Sequence, residues 1–262
     1  MKTAIIIPSR MNSTRLPGKS LVMLEGAGGE KRSLVERCFL AASQVAVDEI
    51  YVATDHVDIA DHVHGFGGKA LMSPESCRNG TERCASLLDQ IDAELIINFQ
   101  GDAPLIPSDF VTALIEFMKA NLDAEMATPV MPCDREQLIA LREDRKHGQV
   151  GGTTAAIGAD GRGLYFSKEV LPTSDALVET NPSDVYLHIG LYAYRREVLA
   201  QYASWPEGHL EKIEGLEQLR FLENGRRVDC VKVDSKGRAF WEVNNPDDVP
   251  RVEAALKQRG IK

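Results

Sequence analysis

The sequence lacks any long apolar run. No stretch of its 262 residues approaches the ~18 consecutive apolar residues of a membrane span. The N-terminal run Ala4 to Ile7 is too short for a signal-peptide core. Positive charge is in deficit: 30 Lys and Arg against 39 Asp and Glu leave a formal net charge of −9. Sequence-independent binding to nucleic acid needs a basic face, so nucleic acid is excluded as a partner, and any polyanionic ligand must meet a local cluster of cations. The five cysteines, Cys38, Cys77, Cys84, Cys133 and Cys230, are odd in number and form neither a CxxC pair nor a zinc spacing. They read as reduced, mostly buried thiols of a cytoplasmic protein. Two well-known phosphate loops are also missing. Gly18-Lys19-Ser20 has the ending of a Walker A loop, but the glycine required five positions before Gly18 is Ser13. No GxGxxG follows the first apolar run. There is no internal repeat, low-complexity segment or linker.

What is present is an ordinary globular composition, 44% hydrophobic and 26% charged, in a chain long enough for one α/β domain with an insertion. Thr3 to Ile7, Glu49 to Ala53, Lys69 to Met72 and Glu94 to Phe99 are short apolar, partly β-branched runs that read as buried strands. Helices are expected between them: from Ser33 toward Gln44, with Ser33 and Glu36 as a capping box, then through Val63, and from Thr81 to Gln90. Strands alternating with helices predict a doubly wound, mostly parallel sheet. Such sheets bind ligands beyond the carboxyl ends of their strands.

The second half is less regular. A helix is expected from Ser108 to Ala120, and strands at Ala124 to Val130, Thr153 to Ile157, Gly163 to Ser167 and Tyr186 to Tyr194. These predict a smaller mixed or antiparallel insertion. Residues 172–185 read as a loop, Leu210 to Glu223 as one helix, Arg227 to Val233 as a strand, and Asn245-Pro246 as the start of a last helix. The expected organisation is one unit, with residues 1–130 and 226–262 as its core and 131–225 as the inserted part.

Three polar segments fall at strand ends. The loop after Pro8 carries Arg10, Arg15 and Lys19, suited to a nucleoside triphosphate. Thr54-Asp55 ends the second strand. Gln100-Gly101-Asp102 places a carboxylate after a buried strand, where Mg²⁺ is commonly held by one or two protein oxygens and substrate phosphates. Asn244 offers a further oxygen, and on its own reads more readily as a turn residue. His62 and His64 read as surface histidines. His188, inside LHIGLY, is either a satisfied core histidine or a ligand contact.

These segments together resemble the CMP-KDO synthetases (3-deoxy-manno-octulosonate cytidylyltransferases). The resemblance is carried by IIIPSRMNSTRLPGKSL at 5–21, IYVATDHVDIA at 50–60, NGTER at 79–83 and INFQGDAPLI at 97–106. It continues through LYFSK at 164–168, HIGLYAYR at 188–195, EKIEGLEQLRFLENG at 211–225 and NNPDDVPRVE at 244–253. It implies a nucleotide-diphospho-sugar transferase-like α/β fold, a homodimer, and Mg²⁺-dependent joining of CMP from CTP to an acidic sugar, in surface polysaccharide or lipopolysaccharide synthesis, with residues 1–130 and 226–262 as the nucleotide-binding core and 131–225 as the acceptor and dimerisation part. It implies that Arg10, Ser13, Arg15 and Lys19 hold the nucleotide phosphates, with Gly80, Thr81 and Arg83 beside the nucleotide. It puts Asp102 on Mg²⁺, with Asn244 where the family has a second metal aspartate. Gln100, Lys168, His188, Tyr192, Glu217 and Gln218 would face the acceptor.

The chain departs from the family pattern in its second half. Lys168 stands where the family usually has the arginine of a Ser-Arg pair that meets the sugar's carboxylate, and Pro172-Thr173-Ser174-Asp175 lacks a further arginine. His147 to Ala156 replaces a more apolar strand. Two alternatives therefore stand beside KDO as acceptor. One is a different acid, such as a modified octulosonate, a nonulosonate or a phosphonate. The other is a sugar 1-phosphate.

Overall fold

The computed structural model describes residues 1–13, 15–150, 152–173, 180–238 and 241–262. They form two compact units, residues 1–112 with 235–262, and residues 113–234. Residues 113–130 and 226–234, assigned above to the nucleotide-binding half, fall in the second unit.

In the first unit, β1 (Thr3–Ser9) leads through a loop to a small antiparallel hairpin, β2 (Met23–Glu25) and β3 (Lys31–Ser33). Helix α1 (Leu34–Ala42) begins where Ser33 accepts the Glu36 N–H. The Glu36 carboxylate binds Arg32 at 2.7 Å. Then follow β4 (Glu49–Thr54), α2 (Val57–Gly65), β5 (Ala70–Met72), α3 (Gly80–Ala85), β6 (Leu95–Phe99) and α4 (Ser108–Ala120), in which the division between units falls. The sheet order is β5-β4-β1-β6, all parallel. Ile5, Ile6 and Ile7 of β1 and Ile96 and Ile97 of β6 are wholly buried. A strand covered on both faces loses its alternation and becomes a continuous apolar run. β1 continues past Ile7 because Pro8 and Ser9 stay in register with Ala53 and Thr54.

The helix expected over Thr81 to Gln90 breaks into α3 and a separate 3₁₀ turn at Leu88–Gln90. The last helix is Asp248–Gln258, with Asp247 at its N-cap. Asn245 does not cap it. The Asp248 carboxylate instead accepts the N–H groups of Asn244 and Asn245, at 2.9 and 2.7 Å.

The second unit holds β7 (Met126–Pro132), α5 (Arg135–Lys146), β8 (Thr153–Ile157), β9 (Gly163–Ser167), β10 (Tyr186–His188), β11 (Leu191–Arg195), α6 (Arg196–Tyr202), α7 (His209–Glu214), α8 (Leu219–Glu223) and β12 (Val228–Lys232). Its strands run in the order β11-β7-β10-β8-β9, antiparallel throughout, and β12 joins β7 in parallel. The strand expected over Tyr186 to Tyr194 is two strands parted at Ile189-Gly190. The helix expected over Leu210 to Glu223 is two helices, because Gly215 turns left-handed at φ 63°. α5 has no counterpart in the sequence-based expectations. Of the loop expected at 172–185, Ser174 to Glu179 lie outside the described residues.

The core of this unit packs rings against a buried ion pair. Tyr194, Phe221 and Tyr202 stack in series, with centroids 5.6 and 5.1 Å apart. The Arg220 guanidinium lies 4.3 Å from the Tyr202 ring centre and grips Glu211 with two bonds of 2.6 and 2.7 Å. Arg220 is wholly buried and Glu211 nearly so. Removing one partner of such a pair strands a charge in low dielectric. Arg220→Met should therefore lower unfolding free energy by about 3–5 kcal/mol, read as a shift of the urea midpoint at constant slope. An unchanged midpoint would show that Glu211 does not need the pairing.

Candidate active site

The carboxyl ends of β1 and β6 meet without room for a side chain. A Cβ at Gly101 would lie 2.2 Å from the Pro8 carbonyl oxygen and 2.9 Å from Ser9 Oγ. Glycine is needed there by contact rather than by backbone angle. The approach brings the loop after β1 and Gln100-Gly101-Asp102 into one pocket.

A buried carboxylate pins that loop. Asp55, at the end of β4, accepts the Met11 N–H at 3.1 Å and the Arg83 guanidinium at 2.9 Å. Arg83 also donates to Ser73 Oγ. Gly18, left-handed at φ 67°, starts the short turn Lys19–Leu21. The Lys19 ammonium reaches Asp102 Oδ2 at 2.7 Å, and both side chains keep partial exposure, 17% and 22%. Arg15 donates to Asn244 Oδ1 at 2.9 Å. Asn244 in turn donates to Glu242 at 3.1 Å. The backbone between them is fixed to the same place, because the Val243 N–H bonds the Asp102 carbonyl at 2.8 Å. Val243 is wholly buried.

Arg10, Ser13, Arg15 and Lys19 all line this pocket, together with Gly80, Arg83, Gln100, Asp102 and Asn244. Arg10 and Arg15 are exposed and able to meet a ligand. Thr81 is wholly buried and does not line it. Arg83 lines it while paired with Asp55, so its charge is spent in bracing the loop. Two buried polar atoms at this end of the sheet have no hydrogen-bond partner among the described residues: Ser9 Oγ, which lines the pocket, and Asn98 Nδ2. A Cβ on Gly80 would lie 3.3 Å from that amide nitrogen.

The sequence pattern marked Thr54-Asp55 as a polar strand end without giving Asp55 a partner or a role, and it did not single out Arg78 or Glu242. Asn79 caps α3 by accepting the Glu82 N–H at 2.8 Å, and Arg78 pairs with Glu82. Glu242 keeps solvent access as a residue. Burial of its carboxyl and the neighbouring Asp102 charge push it up to about 7, against the pull of Asn244, Lys19 and Arg15. The alternation Glu242-Val243-Asn244, apolar only at its centre, is the one sequence signal that could have marked it.

Within the second unit, His188 makes ring contacts with Phe166 and Tyr192, at centroid distances of 5.0 and 5.6 Å. Its Nε2 bonds Thr128 Oγ1 at 2.9 Å. Burial pushes the imidazole down to about 3, so it is neutral at physiological pH. Tyr192 donates to Gln218 Oε1 at 3.2 Å. Gln218 is buried, and its Nε2 has no partner among the described residues. The Glu217 carbonyl accepts from Tyr202. Lys168 follows β9, and its ammonium stands where a Cβ on Gly215 would lie 3.1 Å away. Of the histidines read as surface residues, His64 is exposed, while His62 is half-buried and bonds Ser33 at 2.7 Å. All five cysteines are free thiols, Cys77 alone partly exposed.

A parallel sheet with a cationic, carboxylate-bearing pocket at its strand ends defines a nucleotidyltransferase. The chain belongs to the cytidylyltransferase family, whose model matches residues 4–228, and within it to the 3-deoxy-manno-octulosonate cytidylyltransferases. The enzyme of that name from Maricaulis maris is 39% identical over 99% of both chains. That from Chlamydia pneumoniae is 38% identical over 95% of this chain and 91% of its own. A solved CMP:2-keto-3-deoxy-manno-octonic acid synthetase complexed with CTP superposes with a TM-score of 0.85 at 30% identity, over 99% of this chain and all of that one. An inositol-1-phosphate CTP transferase from T. maritima, TM-score 0.67 at 13% identity over 100% of this chain and 96% of its own, shares the fold.

Gly101→Ala should separate the two strand ends and displace Asp102. CTP binding measured by calorimetry should weaken at least tenfold. Wild-type affinity would mean that the Pro8–Gly101 contact does not set the pocket.

Proposed function

We propose that this enzyme transfers CMP from CTP to a 3-deoxy-2-keto sugar acid of the KDO type, releasing pyrophosphate in a Mg²⁺-dependent reaction. The observation that carries the reading is the Lys19–Asp102 contact at 2.7 Å, inside a pocket also lined by Arg10 and Arg15. The names of the relatives support the acceptor.

The donor set fits a hard divalent ion. Asp102 and Glu242 offer carboxylates and Asn244 an amide oxygen, and cations of the chain itself now sit on two of these, Lys19 on Asp102 and Arg15 on Asn244. No group of three or more His, Cys, Asp or Glu is gathered for a metal among the described residues. Such a sparse set suits Mg²⁺, which keeps several waters and shares substrate phosphates. Asp102, with Asn244 and Glu242, would hold it. When bound, Mg²⁺ supplies charge neutralisation and orientation of the phosphates.

The chain's own residues do the rest. Arg10, Ser13, Arg15 and Lys19 hold the triphosphate, and Lys19 and Arg15 stabilise charge on the departing pyrophosphate as the acceptor's anomeric hydroxyl attacks the α-phosphorus in line. Gly80 and Arg83 border the nucleotide. Gln100, Lys168, His188, Tyr192, Glu217 and Gln218 bind the acceptor. Neutral His188 is a hydrogen-bonding group there and not a cation. A homodimer in the cytoplasm, serving lipopolysaccharide synthesis, completes the proposal. No helix among the described residues is long and apolar enough to cross a membrane.

Lysine at position 168 favours a second reading, a different acidic acceptor, because a point charge discriminates less than a bidentate guanidinium. The decisive measurement is pyrophosphate release from CTP with Mg²⁺, with and without KDO. KDO-dependent release is expected. CTP binding without release would redirect the search to another acid. Lys19→Ala should cut turnover more than tenfold, and near-normal turnover would remove Lys19 from the mechanism. Asp102→Ala should abolish the magnesium response, and an unchanged response would remove its metal role.

A further inference from the structure

The end of β9 holds a carboxylate that belongs to the chain itself. Glu214, the last residue of α7, places Oε1 2.6 Å from Ser167 Oγ and 3.4 Å from the Tyr165 hydroxyl, and Oε2 2.9 Å from the Lys168 N–H. A serine hydroxyl has one proton to donate. Ser167 commits it to Glu214, and its oxygen also accepts the Glu169 N–H at 3.0 Å. Toward any second carboxylate Ser167 therefore presents lone pairs and repels it. Ser167 is nearly wholly buried, Glu214 half-buried. The Lys168 ammonium, by contrast, has no carboxylate within ion-pair distance among the described residues. It stands over Gly215, where the left-handed turn at φ 63° leaves the backbone bare.

We infer that Glu214 is a positioning residue of the acceptor site: its carboxylate holds Ser167 and the Lys168 backbone, leaving the acceptor's carboxylate to the Lys168 ammonium alone. The inference rests on the acceptor being a sugar acid, as proposed above. Ser167 and Glu214 then act as one brace that aims Lys168, and neither touches the acceptor. A single ammonium makes a screened, salt-sensitive contact. Two residues acting through the same contact lose the same thing when either is changed, so their effects do not add.

The test is steady-state kinetics of KDO-dependent pyrophosphate release at saturating CTP, with CTP binding measured separately for each variant. Lys168→Met should raise KM for KDO at least tenfold and leave CTP affinity unchanged. Glu214→Gln and Ser167→Ala should each raise it by a smaller, similar factor, with kcat retained. The double variant should be no worse than the worse single one, and Glu214→Asp should restore part of the loss. Wild-type KM should rise with ionic strength, and Lys168→Met should remove most of that dependence. If Glu214 merely occupies the seat of the acceptor's carboxylate, Glu214→Gln lowers KM and Ser167→Ala raises it as far as Lys168→Met. Either result overturns the inference and leaves the acceptor assignment standing. Absence of KDO-dependent release from the wild-type enzyme overturns the acceptor assignment itself, and the inference with it. Should Glu214→Gln fail to fold, Ser167→Ala and the salt dependence decide.

Discussion

The pocket of the first unit depends on Asp55. Crowding Arg10, Arg15, Lys19 and Arg83 into one strand-end pocket is unfavourable without ligand, and the loop that carries three of them has little secondary structure of its own. Asp55 resolves part of that conflict from below. It neutralises Arg83, the most deeply buried of the four, and fixes the first turn of the loop through the Met11 N–H. Asp102 does the same above, through Lys19, but in a partly solvated place where the pairing can be exchanged for a ligand. The inner ion pair is a brace and the outer one is a contact that binding can replace. The difference is burial: 3% and 7% exposure for the inner pair against 17% and 22% for the outer.

The second unit is organised by a different economy of polar groups. Its strands are antiparallel except for β12 beside β7, and it buries an arginine, a glutamate and a glutamine, with a half-buried histidine, among packed rings. Arg220 and Glu211 satisfy each other, and His188 is neutral with Thr128 as partner. Gln218 is satisfied on one side only, by Tyr192, and its amide nitrogen is left over. Ser9 Oγ, Asn98 Nδ2 and Gln218 Nε2 are buried polar atoms without a hydrogen-bond partner among the described residues, as are Arg32 Nε, Asp109 Oδ1, Arg145 Nε and Asp229 Oδ2. Of these residues only Ser9 lines the pocket of the first unit.

The parallel half of the fold was legible because its physics is local. Runs such as Ala4 to Ile7 and Leu95 to Phe99 are long enough and apolar enough to be strands buried on both faces, and the turns and caps between them announce themselves. The second half was less legible because its breaks depend on single residues in context. Gly215 could have been an ordinary helical glycine; its left-handed turn splits α7 from α8 and gives Lys168 its place. Ile189-Gly190 divides an apolar stretch that looked continuous. The start of the last helix was visible in Asn245-Pro246, but that Asp247 takes the N-cap and Asp248 collects the N–H groups of Asn244 and Asn245 was not, since Asn and Asp both serve such roles.

The sequence by itself determined the family, the parallel sheet and most of the residues of the nucleotide pocket, because loops at strand ends are placed by topology and their charges are plain in the chain. Only the tertiary structure decided what each of those residues is free to do. It showed that Arg83 is engaged with Asp55, that Glu242 joins Asn244 beside Asp102, and that Ser167 gives its one proton to Glu214. Residues 28, 140 and 47 positions apart meet in these contacts. Hydrogen-bond capacity is finite and is allotted by distance in space, which no spacing along the chain records.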